Sequence, residues 1–263
     1  MSAADDIGTA AVAAPGWIKL ALESRAPLEL AASLATWPLW SSTARGDGHP
    51  VLVIPGFIAS DLSTRPLRQA LRLLGHDVHG WDQGRNLGPK PGVLDAALAR
   101  IRELHAGQGR KVSLVGWSLG GIYARELAKR APDIVRCVVT LGTPFAGSPR
   151  ATNAWRLYSM LNPGQRPRAQ ADEALRAPPP VPTTSIFSRS DGIVAWQSSV
   201  EQAGPMAESI EVEASHVGMG VNPLVLHALA DRLALPEGRW RPFERTGLKR
   251  FLFRDPQRPE AQS

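Results

Sequence analysis

From residue 51 to residue 141 the chain alternates short, mostly apolar runs with stretches of helical periodicity. The runs Val51-Leu-Val-Ile54, Lys111 to Val115 and Val135 to Leu141 lack the polar alternation of a half-exposed strand, so they read as strands buried on both faces. Between them, Ser63 to Leu74 and Leu119 to Arg130 read as helices, as does Gly92 to His105, with Leu94, Ala97, Leu98 and Ile101 on one side. Asp77 to Trp81 adds a strand. Alternation at this spacing predicts an α/β fold: a mainly parallel sheet flanked by helices. Downstream, Thr184 to Ser188 and Ile210 to Ala214 extend the strand series, and Pro223 to Leu235 reads as a closing helix.

With 263 residues, 43% of them hydrophobic, the chain can fill one sizeable core, so a single main domain is expected over 48–236. Within it, about 146–182 forms a lid-like insertion, because Pro149, Pro163, Pro167 and Pro178 to Pro180 interrupt any regular element except a short helix near Asn153 to Leu161. Residues 1–47 form an N-terminal extension that is helical from Trp17 to Trp40. Only Lys19 and Arg25 supply positive charge to that helical stretch, so it is read as an arm packed on the domain, with peripheral membrane contact through its tryptophans as the alternative. Residues 237–263 form a basic C-terminal tail, read as packing plus a solvated edge, with an anionic membrane surface again the alternative.

The net charge of +6 is concentrated between Arg239 and Arg258, and no zinc-finger, basic-heptad or RNA-binding aromatic spacing accompanies it. Nucleic acid is therefore not an expected partner. Cys137 is the sole cysteine and lies in an apolar strand, so neither a disulfide framework nor a thiolate metal cluster is expected, and no metal site is assigned. Asp5 and Asp6 stand where a signal peptide would be basic, and Pro38 interrupts the longest apolar stretch, Leu30 to Trp40, well short of the roughly 20 residues of a spanning helix. A cytoplasmic protein is expected; its oligomeric state is left open.

The chemistry concentrates at Gly116-Trp-Ser118-Leu-Gly120-Gly121, between a strand and a helix. Gly-x-Ser-x-Gly on such a turn can hold a serine in a strained backbone and aim its hydroxyl off the carboxyl edge of the sheet. Ser118 is the candidate nucleophile. A serine hydroxyl needs a base, and of six histidines only His216 follows a strand and opens a glycine-containing loop, His216-Val-Gly-Met-Gly220. A carboxylate should hold that imidazole in its working tautomer. Asp191, in Ser188-Arg-Ser-Asp-Gly192, completes the order serine, aspartate, histidine along the chain, with Glu201 as the fallback. Backbone N–H groups of Leu119 and Phe57 are the candidate donors to a developing oxyanion. Phe57, Trp117, Phe145, Trp155 and Tyr158 are candidate substrate-contacting side chains.

Three of these segments together resemble the α/β-hydrolase superfamily, and within it the bacterial lipases and esterases: Val-Ile-Pro55-Gly56-Phe57, the elbow around Ser118, and Leu141-Gly-Thr-Pro144-Phe-Ala-Gly147-Ser148. The resemblance covers roughly residues 48 to 235, and Asp191-Gly192 and Ser215-His216 match the family's acid and base positions. Where many lipase-like relatives carry a histidine in the third segment, this chain has Phe145. Serine at the elbow argues against dehalogenases and epoxide hydrolases, which need a carboxylate nucleophile. The resemblance implies hydrolysis of a small-molecule or lipid carboxylic ester through an acyl-enzyme, without a cofactor. The alternatives are an acyltransferase or thioesterase using the same three residues and, from a different class, a non-catalytic binding protein that retains the fold.

Overall fold

The computed structural model describes residues 12–40, 44–163 and 173–257, and within them six strands form one sheet. They are β1 (Pro50–Ile54), β2 (Asp77–Gly80), β3 (Val112–Trp117), β4 (Val135–Leu141), β5 (Thr183–Phe187) and β6 (Ala207–Glu211), in the spatial order β2-β1-β3-β4-β5-β6. Every neighbouring pair is parallel. The fold is therefore the α/β architecture expected, with β3 and β4 at its centre.

The runs are mostly apolar because both faces of these strands are covered. Successive side chains of a strand point to opposite faces, and accordingly Val51 and Val53 join one cluster while Leu52 and Ile54 join the other. The first cluster packs the helices Arg65–Leu73 and Pro223–Leu233, through Leu67, Leu71, Val225 and Leu229. The second packs Val93–Gln108 and Leu119–Arg130, through Leu98, Ile101, Tyr123 and Leu127. Burial of each such leucine stabilises the fold by about 1.5–3 kcal/mol.

One expectation needs correction. The last strand lies at Ala207–Glu211, three residues before the start expected at Ile210, because Glu208 and Glu211 disguise it. Both acids are neutralised in place, Glu208 by Arg232 at 2.7 Å and Glu211 by Arg189 at 3.1 Å. In the basic C-terminal segment, two aromatic rings pack on the sheet domain. Phe243 and Phe253 are buried in the first cluster, with ring centroids 4.8 Å apart and His227 against both. Within the irregular stretch after β4, Trp155–Leu161 is helical as expected, whereas 164–172 lie outside the described residues. A buried pair, Arg125 with Glu201, fastens the end of that stretch: Arg125 also donates to the carbonyls of Arg176 and Ala177.

At the amino edge of the sheet His49 and His76 are 1% and 4% exposed. Burial, reinforced by Arg136 for His49 and by His49 for His76, holds both down to about 4. Unfolded histidines titrate near 6.5, so the stabilisation from keeping these rings neutral is complete above that pH and is lost as pH falls from 6.5 through 4. A fall in thermal midpoint of roughly 5–10 °C over that interval is expected. Neither ring nitrogen of His76 has a hydrogen-bond partner among the described residues, so His76→Phe should reduce the fall. Circular dichroism melts of both proteins from pH 8 to 4 measure it, and an unchanged acid slope in the variant would contradict the assignment.

Candidate active site

The turn between β3 and the helix Leu119–Arg130 puts Ser118 at φ 54° and ψ −122°, a conformation in which a side chain is strained. Close packing of the turn against its neighbours fixes it there. The Ser118 N–H donates to the Leu141 carbonyl at the end of β4, 2.8 Å away. On the other side the helix presses on the end of β1: a methyl group at position 120 would fall 2.2 Å from the Ile54 carbonyl oxygen, so only glycine allows this approach. Tight contact also brings the loop after β1 to the serine. Gly56 lies against the Ser118 side chain, and Phe57 follows it. Among the described residues the N–H groups of Phe57 and Leu119 donate to no protein acceptor.

His216 and Asp191 meet at the same edge of the sheet. His216 Nδ1 and Asp191 Oδ2 are 2.7 Å apart, with the two residues 7% and 3% exposed. The other carboxylate oxygen is taken by the N–H groups of Ile193 and Val194, at 2.8 and 2.7 Å, which orients the carboxylate toward the ring. Burial alone would lower the imidazole's pKa, but the Asp191 charge and hydrogen bond, with Glu23 adding to them, raise it above its ordinary value. The fallback acid, Glu201, is instead paired with Arg125.

Gly142, directly after β4, has φ 52° and sits between the two halves of the site. A methyl group there would lie 3.0 Å from His216 Nδ1 and 3.1 Å from Asp191 Oδ2, while the preceding Leu141 carbonyl holds the Ser118 backbone. The Trp117 indole N–H donates to the His216 carbonyl at 3.2 Å, tying the residue before the serine to the histidine loop. Ser118, Asp191 and His216 thus converge at the carboxyl ends of β3, β5 and β6.

The expected wall residues divide. Phe57 and Tyr158 face one another with ring centroids 5.4 Å apart, so the helix Trp155–Leu161 does reach the loop after β1. Trp155 lies near Arg150, with the guanidinium 5.4 Å from its ring. Trp117 packs against Gly220 and supports the histidine loop. Phe145 is not a wall: it has no exposed surface, and the Arg125 guanidinium lies 3.9 Å over its ring. An apolar ring there supports the buried cation from below.

Sequence reasoning missed Glu23 and Glu29. Both come from the N-terminal arm, which is helical over Trp17–Ala21, Ala26–Ala35 and Trp37–Trp40, and both accept backbone N–H groups of the histidine loop. The spacing Arg25 to Glu29 signals a helical ion pair, present at 3.0 Å. Nothing local signals that the arm folds back onto residues near 192 and 216. Among the described residues no group of three or more histidine, cysteine, aspartate or glutamate side chains could hold a metal ion, and no helix is long and apolar enough to cross a membrane.

Comparison with known proteins agrees with the topology. Residues 49–174 match the family model described as alpha/beta hydrolase fold. A 62-residue stretch is 42% identical to triacylglycerol lipases of Pseudarthrobacter phenanthrenivorans and Burkholderia plantarii, covering 23% of this chain and 19% and 17% of theirs. The matched stretch therefore spans less than a fifth of either lipase. Among solved structures, Aspergillus fumigatus lipase B superposes with a TM-score of 0.56 at 18% identity, over 76% of this chain and 54% of the lipase. A pyrethroid hydrolase from Sphingobium faniae superposes with a TM-score of 0.50 at 18% identity, over 71% of this chain and 98% of that one. At these identities the likeness is one of fold.

The positive φ of Ser118 gives a direct test of the turn. Strain of this kind costs on the order of 1–3 kcal/mol, and glycine relieves it at some cost in unfolded-state entropy. Ser118→Gly should melt roughly 2–4 °C higher than Ser118→Ala; equal or reversed midpoints in calorimetry would show that the turn is unstrained.

Proposed function

We propose that the chain is a serine hydrolase of the α/β-hydrolase superfamily that cleaves carboxylic esters through an acyl-enzyme, an esterase or lipase, a reading supported by its fold and by the match of residues 49–174 to that family's model. The observation that supports this reading most is the buried Asp191–His216 pair, 2.7 Å apart, at the sheet edge where the strained Ser118 turn emerges. A carboxylate buried solely for stability has no need of an imidazole whose second nitrogen is left uncommitted.

With Nδ1 engaged by Asp191, Nε2 is the nitrogen that can take a proton. It accepts the proton of the Ser118 hydroxyl as the oxygen attacks the ester carbonyl. The charge that develops on the carbonyl oxygen is met by the N–H groups of Leu119, at the start of a helix, and Phe57. The tetrahedral species collapses, its C–O bond breaks, and His216 returns the proton to the departing alcohol. Water then repeats the sequence: His216 takes its proton, the hydroxide adds to the acyl carbonyl, and the acid leaves as Ser118 regains its hydrogen. Asp191 stays ionised throughout and stabilises the imidazolium formed in each half. Phe57 and Tyr158 would flank the acyl or alcohol group.

Labelling with a fluorophosphonate and mapping the modified peptide should place the adduct on Ser118, and Ser118→Ala should lose at least a thousandfold in nitrophenyl ester turnover. An adduct elsewhere, or full turnover by the variant, rejects the reading. The raised His216 sets the pH profile. The base works only when neutral, so kcat/KM should fall as pH drops through an apparent value above 6.5, the ordinary histidine value. In Asp191→Asn the acid limb should move to lower pH while kcat drops at least a hundredfold.

A further inference from the structure

Glu23 lies in the 3-10 turn Leu22–Arg25, between the first two helices of the N-terminal arm. Its Oε1 accepts from the N–H of Gly192 at 2.7 Å and of His216 at 2.9 Å, and its Oε2 accepts from the N–H of Val217 at 2.8 Å. One carboxylate is therefore bonded to the residue that follows the acid, to the base itself, and to the residue after the base. No cation pairs with Glu23 among the described residues; its charge is met by backbone dipoles. Hydrogen bonds to an ionised acceptor are roughly twice as strong as neutral ones, and here three of them join two loops that are also joined by the Asp191–His216 contact and by Ser188 and Ser190.

The rest of the arm is shaped to deliver that carboxylate. Glu29 Oε1 accepts from Ser215 N–H at 2.7 Å, and Arg25 donates to Ser190 Oγ at 2.6 Å. The fit is tight: a methyl group at position 192 would fall 2.2 Å from the Lys19 carbonyl oxygen, and one at 218 would fall 1.9 Å from Glu29 Oε2. Glycine at both places lets the arm seat directly on the loops. By contrast Trp17, Leu28 and Leu34 of the arm are 78%, 72% and 71% exposed, so polar contacts carry much of its attachment here.

The geometry points to Glu23 as a positioning residue of the hydrolase site, clamping the Asp191 and His216 loops at a fixed separation from an arm that lies outside the sheet. This rests on the hydrolase reading for its catalytic meaning, whereas the clamp itself is a property of three amides. The charged groups packed on the histidine loop are Asp191, Glu23, Glu29, Arg25 and Glu213. Arg25 is paired with Glu29 at 3.0 Å and Glu213 at 3.5 Å, which leaves Asp191 and Glu23 as the anions that favour the charged imidazole.

The test uses the full chain and three readouts. In the wild-type protein, amide hydrogen exchange by NMR should show Gly192, His216 and Val217 protected at least tenfold over an unstructured loop; exchange at loop rates overturns the clamp without any variant. Glu23→Gln keeps one acceptor oxygen but removes the charge and one of the three bonds. Following the His216 ring proton, its titration midpoint should move down by about half a pH unit or more, and kcat should fall roughly three- to tenfold with KM changed less than twofold. Glu23→Ala should lose more kcat, and Leu28→Ala, on the exposed face of the arm, should match wild type. Overlapping His216 titrations and equal kcat for wild type and Glu23→Gln reject the positioning role. If wild type turns over no ester and takes no fluorophosphonate, the hydrolase reading fails, while exchange and titration still decide the clamp.

Discussion

Contact between a helix and the strand ends beneath it governs this molecule. The helix Leu119–Arg130 can start immediately at the end of β3 only because residue 120 has no side chain to strike the Ile54 carbonyl. That approach forces the left-handed turn at Ser118, draws the loop after β1 against the serine, and leaves the Leu119 N–H without a protein acceptor among the described residues. A single steric allowance thereby sets the geometry of Ser118 and the placement of the Leu119 N–H together. The sheet then supplies the remaining groups, since parallel strands all deliver their following loops to one edge.

The opposite edge carries an instructive counterpart. Asp47, His49 and Ser113 form their own hydrogen-bonded series, with His49 Nδ1 2.6 Å from Asp47 and Nε2 3.0 Å from Ser113. Composition and distance match a hydrolytic triad, yet its environment opposes that chemistry. Ser113 is fully buried in mid-strand, and the Arg136 guanidinium touches the His49 ring. A cation against the imidazole holds it neutral and penalises the imidazolium that general-base catalysis must form. At His216 the neighbouring charges are negative and the effect reverses. The sign of the surrounding field, more than the trio itself, distinguishes a candidate site from a structural network.

Much of this was legible in the amino-acid order, for a physical reason. Strands buried on both faces must be apolar throughout, so β1, β3 and β4 announced themselves, and the glycines around Ser118 marked a turn that other residues cannot make. Asp191 and His216 were recoverable because they follow strands. What stayed hidden depends on contacts between distant segments. β6 carries glutamates whose partners lie on the loop after β5 and on the last helix, so its polarity resembles a loop's. Phe145 looked like a pocket wall until the buried cation above it came into view. For Phe243 and Phe253, packing was expected, but the arginines around them hid which cluster the rings complete. Glu23 gave no local signal: its role exists only once the arm has crossed the loops near 192 and 216.

That crossing has a kinetic side. Glu23 bonds to partners 169, 193 and 194 positions later in the chain, among the longest sequence separations in the fold. Contacts of this kind carry a large loop-closure cost and form late. As the polypeptide leaves the ribosome, the arm emerges before the sheet and has nothing to bind until nearly all of the sheet has been made. The Ser118 turn is built from segments that lie close in the chain whereas the brace on the histidine loop is not, so the final alignment of that edge depends on the arm folding back over it.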